Sequence, residues 1–302
     1  MLAKWVEDAR HALERDLGAW VSSTVPLVGA EGSSGAVVME LDRGDKCIAK
    51  LVQARGRRHL LDMLRCDRRP YLPEVVGVYD FDGDRVVLVV RWLEGATSEH
   101  PYDARAAARM VRRLHRDYPL RGSHLDIKRE IIRAAYDGLV DSKVAAQLFG
   151  YVSRHARLLA ARPTSLVHGD LHRGNVLMTS EGAKLIDIDD IMVGDPYIDL
   201  IYASNIFRHA DEHLWGYLFI EEYFSHAIPD DFWPTVNCYA IWKLLLIMHS
   251  QAKARQPGSP VADIRSMIDE HRGLEDDEPH WFSRLREGVR VGCTLQAGSK
   301  TE

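Results

Sequence analysis

His168-Gly169-Asp170-Leu171-His172-Arg173-Gly174-Asn175, continued by Val176-Leu177-Met178 and then by Lys184-Leu185-Ile186-Asp187, is the stretch whose reading decides the fold. Asp170 and Asn175 stand five positions apart in a glycine-containing loop that runs into an apolar strand. Asp187 ends the next apolar strand. A hairpin turning at Ser180-Glu181-Gly182 would carry the three oxygen-bearing side chains to one edge. Phosphoryl transfer from a nucleotide needs this inventory: a carboxylate beside the acceptor hydroxyl, and oxygen ligands for Mg²⁺ held apart by rigid backbone. Each residue alone reads as an ordinary turn or strand-end group. The joint order and spacing point to a kinase.

Outward from this motif the chain changes character once. Residues 4–18 have the spacing of an amphipathic helix. Strand patterns follow over 36–41, 46–52, 75–81 and 85–91, with turns at Asp42-Arg43-Gly44-Asp45 and Asp82-Gly83-Asp84 and a short helix over 56–66. After Gly95, helical spacing dominates: 102–117, 127–139, 143–161, 197–209, 211–225, 235–254, 260–271 and 280–288, interrupted by a strand-rich island at 165–191. This is an α+β chain with a small antiparallel β lobe at 1–92 and a larger helical lobe at 93–302 sharing a cleft.

The 302 residues, 46% hydrophobic and 27% charged, have the profile of a globular protein. A net charge of −5 argues against a nucleic-acid partner. Cys47, Cys66, Cys238 and Cys293 form no CxxC pair, so zinc sites and a disulfide framework are not expected, and a reducing cytoplasm suits the chain. The run Ile241–Met248 is too short to span a bilayer and contains Lys243, so it reads as a buried helix.

The motif H-G-D-x-x-x-x-N followed by I-D resembles the signature of the aminoglycoside phosphotransferase and choline kinase-like family, which has a protein-kinase-like two-lobed fold. That resemblance implies Asp170 as catalytic base, Asn175 and Asp187 as Mg²⁺ ligands, and His168 as a support of the loop. Gly194-Asp195-Pro196-Tyr197-Ile198-Asp199-Leu200 matches a second family stretch, with Asp199 bracing the catalytic loop. The family's phosphate-binding lysine corresponds to Lys50 at the end of Ile48-Ala49-Lys50, with Lys46 on the same strand face as the competitor. In kinase-like folds a glutamate on the following helix pairs with that lysine. Residues 55–65 contain none, only Asp62, so Asp62 or Asp187 is expected near Lys50.

The β lobe is expected to hold ATP or GTP. In Gly29-Ala30-Glu31-Gly32-Ser33-Ser34-Gly35, the backbone around Gly32 and Gly35 and the hydroxyls of Ser33 and Ser34 can donate to phosphates. Val87 to Gly95 looks like the link between lobes, where Trp92 and Leu93 would meet adenine. Only 188–194 separate Asp187 from Gly194-Asp195-Pro196, too little for a polypeptide-binding segment, so the acceptor should be a small-molecule hydroxyl. Glu221, Glu222, Asp230, Asp231, Trp233, Tyr239 and Trp242 are candidate linings for a cationic acceptor such as an aminoglycoside. Two alternatives stay open: a metabolic kinase of the choline, homoserine, sugar or lipid type, and a nucleotide-binding pseudokinase scaffold.

Overall fold

Alternation along Lys46–Gln53 buries Cys47 and Ala49 and turns Ile48 and Lys50 to the opposite face. This strand, β3, is the middle of a five-stranded antiparallel sheet in the order β1-β2-β3-β5-β4, built from β1 (Val21–Pro26), β2 (Ala36–Leu41), β4 (Val75–Asp82) and β5 (Arg85–Arg91). The structure is a computed structural model and describes residues 3–27, 35–122, 125–204, 212–254 and 260–288.

One face of the sheet is covered by helix α1 (Lys4–Leu17). Its apolar stripe, Trp5, Val6, Ala9 and Leu13, packs on Val37, Met39, Leu41, Cys47, Ala49, Val87 and Val89. That helix stops at Gly18, whose φ of 60° places it in the left-handed region, where its N–H closes on the Glu14 carbonyl at 2.9 Å. Helix α2 (Arg58–Arg65) buries Leu60, Leu61 and Leu64. The strand and helix segments read from the sequence in this region match the observed ones to within a few residues.

The chain divides into two compact units, residues 1–97 with 174–192, and residues 98–173 with 193–302. The first unit therefore includes the hairpin of Val176–Thr179 and Gly182–Leu185, in register Val176 to Leu185. Ala96–Thr97 pairs with its outer edge. A Cβ on Gly95 would lie 2.8 Å from the Met178 carbonyl oxygen, so the approach of that edge requires glycine.

The second unit is mainly helical: α3 (Asp103–Asp117), α4 (Ile127–Tyr136), α5 (Ser142–Arg154), α6 (Ala156–Ala160), α7 (Ile201–Ser204), α8 (His213–Tyr223), α9 (Phe232–Ala254) and α10 (Pro260–Glu270). Several boundaries differ from expectation, and α4 ends at Tyr136 rather than 139. The helix expected over 143–161 breaks at His155 into α5 and α6. The segment expected as a helix from 197 starts as a 3₁₀ turn, Pro196–Leu200, because the Asp195 carboxylate accepts from the Tyr197 N–H and Pro196 opens the turn. Its residues after 204 lie outside the described ones. Helix α9 begins at Phe232 rather than 235, with Pro234 in the first turn, where its missing N–H needs no partner. As expected, Ile241–Met248 lies within this helix. No helix among the described residues is long and apolar enough to cross a membrane.

Leu13 is fully buried between α1 and the sheet. Leu13→Ala should lower stability by about 2–5 kcal/mol, the range for a buried leucine truncated in a packed core. Urea denaturation followed by tryptophan fluorescence measures it, and a change below about 1 kcal/mol would show that α1 is not an integral layer.

Candidate active site

In the first unit, the face of β3 turned away from α1 carries Lys50. Its Nζ lies 2.7 Å from Asp187 Oδ1 and 2.5 Å from Asp189 Oδ2. Burial works against the ammonium, but the charges of Asp189 and Asp187 and the hydrogen bonds to both outweigh it, and the Lys50 pKa is raised. Lys46, four residues earlier, is exposed beside the turn. Of the two acids considered for Lys50, Asp187 is the neighbour. Asp62 instead accepts from Arg58 Nε at 2.9 Å.

The hairpin explains the position of Asp187. The Ile186 N–H donates to the Asn175 carbonyl at 3.0 Å, so Asn175 and Asp187 sit at the same end of the two strands. Asp187 adopts φ 55° and ψ 59°, left-handed backbone that costs a non-glycine residue energy, and it opens the 3₁₀ turn Ile188–Asp190. Three carboxylates thus fall within four residues. Asp189 is pushed up to about 7, first by burial and then by the charge of Asp187, despite Lys50. Arg57 Nη1 donates to the Asp189 carbonyl and to Asp190 Oδ1, each at 2.6 Å.

Of the other expected nucleotide contacts in this unit, Gly32, Ser33 and Ser34 lie outside the described residues. Gly35 has φ 73°, and a Cβ there would come 3.2 Å from the Trp5 ring. Trp92 is half-buried; its N–H bonds the Lys46 carbonyl at 2.9 Å and its Nε1 donates to Glu94 at 2.7 Å, while Leu93, next to it, is also half-buried.

In the second unit, the His168–Asp170 turn hangs on Asp199. This wholly buried carboxylate accepts from the His168 N–H at 2.8 Å, the Gly169 N–H at 2.9 Å and His115 Nε2 at 2.9 Å. Since a carboxylate only accepts, Nε2 is the donor, and His115 Nδ1 meets the Tyr223 hydroxyl at 2.8 Å. Gly169 has φ 81°, a conformation suited to glycine that exposes its N–H to Asp199. The buried His168 ring adds an acceptor, Nδ1, 3.4 Å from the Asp170 N–H. Burial would raise the Asp199 pKa, but the hydrogen bond and charge of His115, with the charge and N–H of His168, more than offset it and hold it low.

Asp170 has a neighbour that the sequence reading passed over. Lys243 on α9 places Nζ 3.1 Å from Asp170 Oδ1 and donates to the Gly169 carbonyl at 2.9 Å. Its signal was a single cation inside the apolar run Ile241–Met248. A second missed pair is Arg173 with the buried Glu212, at 2.6 Å, where Glu212 also accepts from the Tyr202 hydroxyl.

The acidic residues weighed as acceptor linings are mostly bonded within the unit. Glu221 meets His226 at 2.8 Å, Glu222 meets Arg109 at 2.9 Å, and Asp231 meets Arg162 at 2.6 Å. Arg162 also holds Asp195, which accepts from the Tyr239 hydroxyl at 2.9 Å. Trp233 packs among Phe232 and Phe282, and Asp230 is exposed.

Asp199 should be a measurable source of stability. Its pKa is depressed on folding, so its contribution is present above the unfolded value near 4 and is lost as pH falls through the folded value. Asp199→Asn should cost about 1.5–3 kcal/mol at pH 7, the scale of a hydrogen bond to a charged group. The gap between variant and parent should narrow below about pH 4. Thermal melts across pH test this, and a gap that stays constant in acid would contradict it.

The sequence matches the family model described as the phosphotransferase enzyme family over residues 27–232. Among solved structures, choline kinase LicA from Streptococcus pneumoniae superposes with a TM-score of 0.61 at 18% identity, covering 88% of this chain and 98% of that one. The gentamicin complex of APH(2")-IIa gives 0.60 at 16%, covering 89% and 97%. Spectinomycin phosphotransferase APH(9)-Ia, solved with ADP and spectinomycin, gives 0.54 at 14%, covering 90% and 95%. At these identities the structures establish the kinase-like fold. No curated protein sequence matches the chain. The family match runs from the end of β1 through the catalytic-loop motif to the start of α9, well over half of the sequence, and this chain belongs to the phosphotransferase enzyme family as a small-molecule phosphotransferase.

Proposed function

We propose that the chain transfers the γ-phosphoryl group of ATP, with GTP as the alternative donor, to a hydroxyl of a small molecule. The observation that carries this is the set of three carboxylates, Asp187, Asp189 and Asp190, held by two cations, Lys50 and Arg57. The acids are close together, and the Asp189 pKa is raised first by burial and then by the charge of Asp187. A divalent cation suits such a set. Among the described residues no group of three or more His, Cys, Asp or Glu side chains could hold a metal by itself. Mg²⁺ takes one or two protein oxygens and completes its shell with water and phosphate. Asp187 and Asn175 are the residues to hold it. Bound there, Mg²⁺ supplies charge neutralisation to the nucleotide phosphates.

The residues then have separate tasks. Lys50 draws Asp187 and Asp189 together and offers its ammonium to phosphate oxygens. Asp170, on a turn fixed by Asp199, orients the acceptor hydroxyl and takes its proton. As the new P–O bond forms at that oxygen, the bond from the γ-phosphorus to the bridging oxygen breaks and ADP leaves. Gly32, Ser33, Ser34 and Gly35 are assigned to the phosphates, and Trp92 and Leu93 to the adenine. Catalysis of this kind is mainly positioning and electrostatics. The intact Asp170, Asn175 and Asp187 favour an enzyme over a pseudokinase scaffold.

The charges near Asp170 bear on the acceptor. A hydroxyl within hydrogen-bond reach of Asp170 lies close to the Lys243 ammonium. A unit positive charge about 4 Å from that ammonium would meet about 1–4 kcal/mol of repulsion. The acidic candidates for a cationic pocket are mostly engaged with His226, Arg109 and Arg162. We therefore favour a polyol, sugar or hydroxy acid, neutral or anionic around the reacting hydroxyl, over an aminoglycoside.

Two outcomes test the assignment. In an assay of ADP release over a panel of neutral polyols, hydroxy acids, choline and aminoglycosides, Asp170→Ala should lower turnover by about 10²–10⁴-fold, the usual worth of a positioned base, with Mg·ATP affinity nearly unchanged. Near-parental turnover in that variant would remove Asp170 from the role. Lys50→Met should raise the KM for ATP and lower kcat, whereas Lys46→Met should leave both within about twofold. The reverse ranking of the two lysines would assign the phosphates to Lys46.

A further inference from the structure

The helix after β3 lacks the glutamate that kinase-like folds pair with the strand-3 lysine, and Arg57 stands at its start. We propose that Arg57 is a positioning residue for the Mg·nucleotide site, tying α2 to the acidic turn that carries Asp187 with the charges reversed: the helix end supplies the cation and the turn supplies the acid. The inference rests on the nucleotide-binding reading of Lys50 and Asp187 given above.

Three observations carry it. The mount is rigid. The Arg57 N–H bonds the Ala54 carbonyl at 2.8 Å, and its own carbonyl accepts from Leu60 and Leu61 at 2.8 and 3.2 Å. Those two leucines, with Leu64, are the buried face of α2. Gly56, with φ 73°, supplies the turn that brings the chain from β3 into the helix.

The reach is specific. One guanidinium nitrogen, Nη1, donates both to the Asp189 carbonyl and to the Asp190 carboxylate at 2.6 Å. The adjacent Arg58 is turned elsewhere, to Asp62, Asp80 and the Val78 carbonyl. A general basic surface would not divide two neighbouring arginines in this way.

The turn needs holding. Asp187 is a non-glycine residue with left-handed backbone, a conformation that persists where its surroundings over-determine it. Lys50 fixes the side chains of Asp187 and Asp189. Arg57 fixes the backbone at Asp189 and the side chain at Asp190. Between them the two cations hold every acid of the turn, and Arg57 acts on Asp187 only through the backbone that follows it.

Isothermal titration calorimetry with ADP tests this on the full chain, with Mg²⁺ and with EDTA, for the parent, Arg57→Met and Arg57→Lys. Arg57→Met should weaken Mg·ADP binding by about tenfold, the scale of a lost hydrogen bond to a charged group, and leave metal-free ADP binding unchanged. Arg57→Lys, which keeps the charge but places its one nitrogen differently, should fall between the two. Equal Mg·ADP affinity for Arg57→Met and the parent overturns the proposal. So does an equal loss with and without Mg²⁺, which would mark Arg57 as merely structural. If Arg57→Met does not fold, Arg57→Gln takes its place: parental Mg·ADP affinity in that variant overturns the proposal. A parent that binds no Mg·ADP would overturn the nucleotide-site reading itself, and this inference with it.

Discussion

The ion cluster of Lys50 with Asp187 and Asp189 is the interaction on which the first unit's functional geometry depends. A lysine drawn in from solvent needs acids close by, and carboxylates crowded into one short turn need cations. The antiparallel sheet satisfies both. Strand β3 lies at its centre, so the alternation that buries Cys47 and Ala49 under α1 also aims Lys50 from the other face. The hairpin at 176–185 then delivers Asp187 beyond its last paired residues. Lys50 and Arg57 lie among the three carboxylates of this turn, so its acids are held in place by cations from β3 and from the start of α2.

The second unit solves a different problem, holding a carboxylate still on a short turn. Asp199 does this with three hydrogen bonds, accepting from the backbone of His168 and Gly169 and from His115. Asp195 has a parallel task, joining Arg162, Tyr239 and the turn at Pro196. The two aspartates of Gly194–Leu200 are thus both architectural. Asp170 has the Lys243 ammonium beside it and nearly half of its side chain exposed.

Much of this was legible in the sequence, and the limits have physical causes. The period-two and helical patterns placed β2 to β5 and most helices, most clearly where burial is one-sided, as in β3 and α3. The spacing of Asp170, Asn175 and Asp187 was legible because it is local: five residues and one hairpin. Asp199 could be read as a brace from its motif. What escaped were partnerships across long sequence separations. Lys243 looked like an interruption of an apolar helix and is the cation beside Asp170. Arg57 looked like one of several arginines in 55–65, and only the turn at Gly56 distinguishes its direction from that of Arg58. Glu222 and Asp231 read as available for a cationic ligand, and each has a basic partner, 113 and 69 residues away, that no local pattern indicates.

The central claim is that the turn at Asp187 is built for a metal-bound nucleotide. Calorimetric titration of ATP into the parent and into Asp187→Asn, each with Mg²⁺ and with EDTA, tests it most directly. Mg²⁺ should tighten ATP binding to the parent, and most of this gain should disappear in the variant. Equal Mg²⁺-dependent affinity in the two proteins would contradict it.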